Sequence, residues 1–119
     1  MKKTFHEICH ESKQNIEETT VEEVMNMIKN NEDFMLIDIR EDNEFHKGCI
    51  KGSKHIGRGI LERDVHLHVP SHEANIVLYC NGGFRSILAA ESLQRMGYRN
   101  VKSMFGGWKE WNRKGGQTE

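Results

Sequence analysis

The run Asn75-Ile76-Val77-Leu78-Tyr79-Cys80 passes without a break into Asn81-Gly82-Gly83-Phe84-Arg85, and a helical pattern follows at once. A short apolar run that ends in glycine reads as a strand buried on both faces. A single sheet covered by helices on both sides buries such a strand, so this junction constrains the fold more than any other feature. Phe34-Met35-Leu36-Ile37-Asp38-Ile39 has the same character. The chain has 119 residues, enough for one core and too few for two.

Helical patterns alternate with these strands. Thr20-Val21-Glu22-Glu23 has the form of a capping box, with Val21, Val24, Met25 and Ile28 on one face and Asn30-Asn31 as the stop. Glu41 to His46 reads as a helical turn, Lys54-His55-Ile56 as a short strand, and Gly59 to Val69 as a helix across Ile60, Leu61 and Val65. A long helix is expected from about Arg85 to Met96, with Ile87, Leu88, Ala89, Ala90 and Leu93 inward and Gly97 closing it. Val101 to Met104 reads as a last strand, and Gly106-Gly107 leads into a helix carrying Trp108 and Trp111 as core residues. The order predicts an α/β fold, a central, mostly parallel sheet with helices on both faces. Residues 1–16 read as an extension with a short helix, 17–113 as the domain, and 114–119 as a frayed tail. The Glu17-Glu18 and Glu22-Glu23 pairs read as a solvated helix face.

In parallel sheets of this kind ligands sit at the carboxyl ends of the strands. Cys80 and Asp38 both occupy such ends. Cys80 also stands at the head of a helix, whose first turn leaves backbone N–H groups unpaired and whose dipole favours negative charge. Gly82 and Gly83 allow the loop amides to curl into an anion nest. Arg85 supplies a cationic fork, and Ser86 a hydroxyl within reach of the sulfur. A lone strand-end cysteine is usually inert packing. The combination of strand end, glycine loop, arginine and helix start instead favours a thiolate nucleophile.

At this point a family is recognisable: the chain resembles single-domain rhodanese, the thiosulfate sulfurtransferase family. Tyr79-Cys80-Asn81-Gly82-Gly83-Phe84-Arg85-Ser86 looks like its active-site loop. Leu36-Ile37-Asp38-Ile39-Arg40-Glu41 with Glu44-Phe45, Gly48-Cys49-Ile50-Lys51-Gly52-Ser53 with His55-Ile56, and Gly106-Gly107-Trp108 with Trp111 resemble its other signatures, in the same order. The resemblance covers roughly residues 17–113. It implies that Cys80 takes a sulfane sulfur from a donor such as thiosulfate, holds it as a persulfide, and passes it to cyanide, a thiol or a sulfur-accepting protein. It implies no metal and no organic cofactor. Related phosphatases and arsenate reductases use a loop one residue longer, so the spacing of Cys80 and Arg85 favours sulfur over a tetrahedral oxyanion. A persulfide carrier or contact module with little turnover is the alternative.

Two departures stand out. Gly48-Cys49-Ile50 replaces the usual Gly-His-Ile, and Gly57 stands where a proline often follows. Cys49 is read either as a resolving thiol for oxidised Cys80 or, the favoured reading, as a small packed residue. Asp38 is a candidate substrate contact, though an ion-pair network of Asp38 and Arg40 with Glu41 or Glu44 is favoured. Arg58 is read as a pocket-rim anion contact or a solvated arginine, and Phe84 as an apolar lip or plain packing. His6, Cys9 and His10 have helical spacing with no fixed fourth metal ligand, and His66, His68 and His72 read as surface residues.

The net charge of -1 gives no field for nucleic acid or an anionic membrane. No apolar run approaches the ~20 residues that span a bilayer. Met1-Lys2-Lys3 is followed by polar residues rather than a signal-peptide core, and the three cysteines form no disulfide framework, so the expected compartment is cytoplasmic.

Overall fold

The computed structural model describes residues 2–119; Met1, the first residue of the expected extension, lies outside them. Helices α1 (Phe5–Lys13), α2 (Val21–Lys29), α3 (Asp42–Lys47), α4 (Leu61–His68), α5 (Arg85–Arg95) and α6 (Gly107–Arg113) alternate with strands β1 (Glu17–Thr19), β2 (Met35–Asp38), β3 (Lys54–His55), β4 (Asn75–Tyr79) and β5 (Asn100–Met104). A 3-10 turn over Arg58–Ile60 leads into α4. The five strands form one sheet in the order β1-β5-β4-β2-β3, every pairing parallel. The chain winds outward in opposite directions from β2 and β4, so the switch point lies between them, where a crevice is expected at the carboxyl ends.

Alternation along β4 sorts the core into two layers. Ile76, Leu78 and Cys80 face α4 and α5, packing on Leu61, Val65, Ala89, Ala90 and Leu93. Val77 and Tyr79 face α2 and α6, against Val21, Val24, Met104 and Trp111. Gly97 closes α5 at φ +97°, a conformation costly for any residue with a Cβ.

Several details depart from the sequence reading. Glu17-Glu18 do not lie on a helix: they belong to the edge strand β1, whose pairing with β5 needs main chain rather than apolar side chains. Thr20 caps α2 by accepting from the Glu23 amide at 3.1 Å, but the box is half made, because the Glu23 carboxylate accepts from the Thr19 hydroxyl at 2.7 Å. Ile28 is exposed while Met27 is partly covered. The tail is not frayed: Thr118 bridges Ile50, and the Cys49 and Glu119 main chains exchange two 2.9 Å hydrogen bonds. Gln117 accepts from the Trp111 indole at 3.0 Å.

Helix α1 has a full capping box of its own between Thr4 and Glu7. It lies along α5, held by the carboxylate of Glu91, which accepts from Ser12 at 2.8 Å and Asn15 at 3.0 Å. Its buried residues are Cys9 and Ser12. Among the described residues no helix is long and apolar enough to cross a membrane.

Candidate active site

Cys80 follows the last residue of β4, which borders the switch point, and its loop opens α5. The Gly83 amide donates to its Sγ at 3.1 Å, and the Ser86 hydroxyl lies 3.5 Å from the same sulfur. Ser86 is in turn 2.7 Å from the Ser103 hydroxyl on β5, and both serines are buried. The sulfur thus accepts one main-chain hydrogen bond, has one hydroxyl beside it, and stands at the positive end of an 11-residue helix with no side-chain cap, a place that favours a bound anion.

Gly83 makes the loop geometry possible. Its φ is +92°, and a Cβ there would come within 2.8 Å of the Gly106 amide nitrogen. Gly82 has ordinary φ, and a Cβ there would meet the Phe84 ring at an ordinary 3.7 Å, so the curl requires Gly83 rather than the two glycines expected. The first turn of α6 closes the other side of the loop. The Trp108 amide donates to the Cys80 carbonyl at 2.8 Å and the Lys109 amide to the Asn81 carbonyl at 3.0 Å.

Cys80 is 1% exposed and lines the cavity above it. That cavity is about 340 Å³ and is lined by Phe5, Cys80, Asn81, Gly82, Phe84 and Arg85. Arg85 is half-turned to a carboxylate: its two terminal nitrogens lie 3.3 and 3.4 Å from the Glu44 oxygens. Burial works to raise the Glu44 carboxyl, but the Glu41 amide and Arg85 outweigh it and hold it below the usual carboxylate range. The cationic fork expected from Arg85 is therefore shared before any substrate arrives.

The other candidates lie elsewhere. Asp38 is fully buried and is not among the residues lining the cavity: Arg40 grips it through bonds of 2.7 to 3.1 Å and also donates to the Gly48 carbonyl at 2.6 Å. The pair is closed on itself, since Glu41 and Glu44 cap α3. Arg58 pairs with Glu62 at 2.8 Å, and the Glu62 carboxylate also accepts from Ser92 at 2.6 Å, so Arg58 does not line the cavity. Cys49 lies against the tail with its Sγ 3.6 Å from the Glu119 carbonyl, and burial pushes its thiol up. It shares no cavity wall with Cys80. Phe84 is a lip: 46% exposed, it carries the His6 ring edge-on at 5.0 Å and the Phe5 ring at 6.4 Å. His6 and Cys9 turn to the loop instead of a shared metal point, and Cys9 Sγ lies 3.6 Å from the Phe84 carbonyl. Among the described residues no cluster of three or more metal-ligating side chains forms.

Sequence reasoning passed over Phe5, Glu44 as the partner of Arg85, and Ser103, and it weighed Cys9 only as a metal ligand and not as a neighbour of the Cys80 loop. The signal for α1 was present in the spacing of Phe5, Ile8, Cys9 and Ser12, which is one helical face. The Cys9 thiol is pushed up by burial, with the nearby Cys80 sulfur adding to it.

A family model described as a rhodanese-like domain matches residues 20–114. A Schizosaccharomyces pombe protein with the provisional name of a mitochondrial thiosulfate sulfurtransferase is 35% identical over 91 residues, covering 67% of this chain and 64% of that one. A Bacillus subtilis protein with the provisional name of a sulfur carrier is 28% identical over 109 residues, covering 92% of this chain and 56% of that one. The chain thus matches less than two thirds of the length of these relatives. A Rhodopseudomonas palustris structure, described as of unknown function and a candidate tyrosine phosphatase, superposes with a TM-score of 0.88 at 29% identity, covering 100% of this chain and 96% of that one.

Proposed function

The chain belongs to the rhodanese-like domain family, and on that premise we propose that it transfers sulfane sulfur through a persulfide on Cys80. The observation that carries this is the Cys80 sulfur itself, buried at the floor of a cavity, at the head of α5, with the Gly83 amide donating to it at 3.1 Å. The sulfurtransferase and sulfur-carrier names of the relatives support the same class of chemistry.

The proposed reaction has two displacements. The Cys80 thiolate attacks the outer sulfur of a donor such as thiosulfate, the S–S bond breaks, and sulfite leaves with the bonding pair. The Gly83 amide, the Ser86 hydroxyl and the α5 dipole stabilise the persulfide anion that results. A thiophilic acceptor, cyanide or a thiol, then attacks the terminal sulfur and returns the Cys80 thiolate. No metal or organic cofactor enters either step, and the kinetics are ping-pong.

The test is thiocyanate formation from thiosulfate and cyanide, measured over a grid of both substrates. Parallel double-reciprocal lines, and loss of activity in Cys80→Ser, are expected. Intersecting lines, or activity surviving in Cys80→Ser, would overturn the scheme. The carrier reading is favoured by the shared charge of Arg85, which weakens capture of a free dianion, and it predicts persulfide formation with little turnover. Hydrolysis of a phosphomonoester that disappears in Cys80→Ser would move the oxyanion reading ahead.

A further inference from the structure

The wall that faces Cys80 is apolar, and part of it comes from outside the residues matched by the family model. Phe5 lies in α1, before residue 20. It meets Phe84 edge to face at 6.4 Å and 62°, and both rings remain 46% exposed. Two large aromatic side chains therefore stand half-bare at the mouth of a reactive sulfur. Ring faces exposed in this way gain free energy by covering an apolar group. The His6 ring braces Phe84 at 5.0 Å, which holds the lip in one orientation.

The charge at the mouth points the same way. Among the described residues that line the cavity, only Arg85 has a charged side chain, and Glu44 faces it at 3.3 Å. No lysine or histidine is among the described residues lining the cavity. A dianion would meet one shared guanidinium, one recorded amide and a helix dipole. That suits one negative charge better than two. The volume of about 340 Å³ is near the lower end of the ~300–1,000 Å³ typical of sites for small organic molecules, and exceeds the need of one sulfur atom.

We propose that the sulfur donor of this site carries a single negative charge and an apolar group on the atom that bears its sulfane sulfur, the group seating between Phe5 and Phe84 over Cys80. This rests on the sulfur-transfer reading of Cys80 and names the substrate class for it. Phe5 then acts as a specificity residue supplied by the amino-terminal helix.

Organic thiosulfonates probe this directly, because the attacked sulfur stays constant while the substituent and charge change. The Cys80 thiolate attacks the terminal sulfur of R–SO2–S⁻, the S–S bond breaks, and the bonding pair leaves on the sulfinate R–SO2⁻. Atoms and charge balance, and neither oxidant nor reductant is needed. The experiment measures kcat/KM of the full chain for thiosulfate, methanethiosulfonate and benzenethiosulfonate with cyanide as acceptor. Each value is divided by the rate of a free cysteine thiolate with the same donor. The expected result is a benzene-to-methane ratio of roughly tenfold or more, with thiosulfate poorest. Phe5→Ala should cut that ratio about threefold or more, and Phe5→Trp should keep it. Phe5 is exposed on its helix, so folding of the variants is checked by their denaturation midpoints. A ratio near one, a ratio indifferent to Phe5→Ala, or thiosulfate as the best donor would overturn the proposal while leaving sulfur transfer standing. No uptake from any donor would overturn both.

Discussion

The amide of Trp108 donates to the carbonyl of Cys80 at 2.8 Å, so the carboxyl-terminal glycine turn is bonded to the backbone of the residue that bears the sulfur. Gly107 makes this contact possible: its φ is +56°, and a Cβ there would collide with the carbonyl oxygens of Cys80 and Asn81. Gly107→Ala is therefore expected to destabilise the fold by about 3 kcal/mol, combining left-handed strain with overpacking. It should also slow sulfur uptake by the folded fraction. Guanidinium unfolding with a parallel loading assay checks both; an unchanged midpoint would mean that the turn moves freely.

Ser86 links the Cys80 sulfur to Ser103. Ser86→Ala removes one donor from the sulfur and leaves the buried Ser103 hydroxyl unpartnered, at a cost of about 1–3 kcal/mol of stability. Adding Ser103→Ala should restore part of the stability but none of the uptake rate. A double-mutant cycle read by denaturation and by loading rate separates the two effects. Recovery of both together would assign Ser86 a packing role only.

Glu44 holds part of the charge of Arg85 through contacts of 3.3 and 3.4 Å. Glu44→Gln keeps a side chain able to cap α3 while freeing the guanidinium. The expected outcome is a rise of roughly threefold in kcat/KM for thiosulfate, diminishing at high salt. A fall, or a rise insensitive to salt, would argue against electrostatic competition at Arg85.

Burial pushes the Cys9 and Cys49 thiols above their ordinary value of 9.0, and burial does the same to the Tyr79 phenol. For each group the folded state keeps its proton at a pH where the unfolded chain has lost it. Their contribution is fully present below the unfolded values and is lost as pH rises beyond them through the raised folded values. Stability should thus decline with rising pH above about 9, and Cys49→Ala should flatten that decline. Denaturation midpoints from pH 7 to 10.5, with a slope equal in Cys49→Ala and the parent, would remove Cys49 from the account.

The central strands and the loop were legible because their signals are local. Buried β2 and β4 are continuous apolar runs, and Cys80 to Arg85 holds its glycines and arginine in six consecutive residues. Strand β1 was not legible: Glu17-Glu18-Thr19 buries only Thr19, and its pairing with β5 is made by main chain. The tail was misread for the same reason, since its bonds to Cys49 and Lys51 involve backbone groups common to all residues. Arg85 was recognised but its partner was not, because Glu44 is 41 positions away and no local pattern links them. Asp38 and Arg40 were read as part of an ion-pair network with Glu41 or Glu44; the two pair with each other, while both glutamates cap α3, a difference set by the packed fold.

Intact-mass measurement of the full chain before and after incubation with thiosulfate and with benzenethiosulfonate tests the central claim most directly. A gain of one sulfur, about 32 Da, is expected, removed by cyanide and absent in Cys80→Ser. An unchanged mass with both donors, or an adduct that persists in Cys80→Ser, would contradict Cys80 as the residue that carries sulfur.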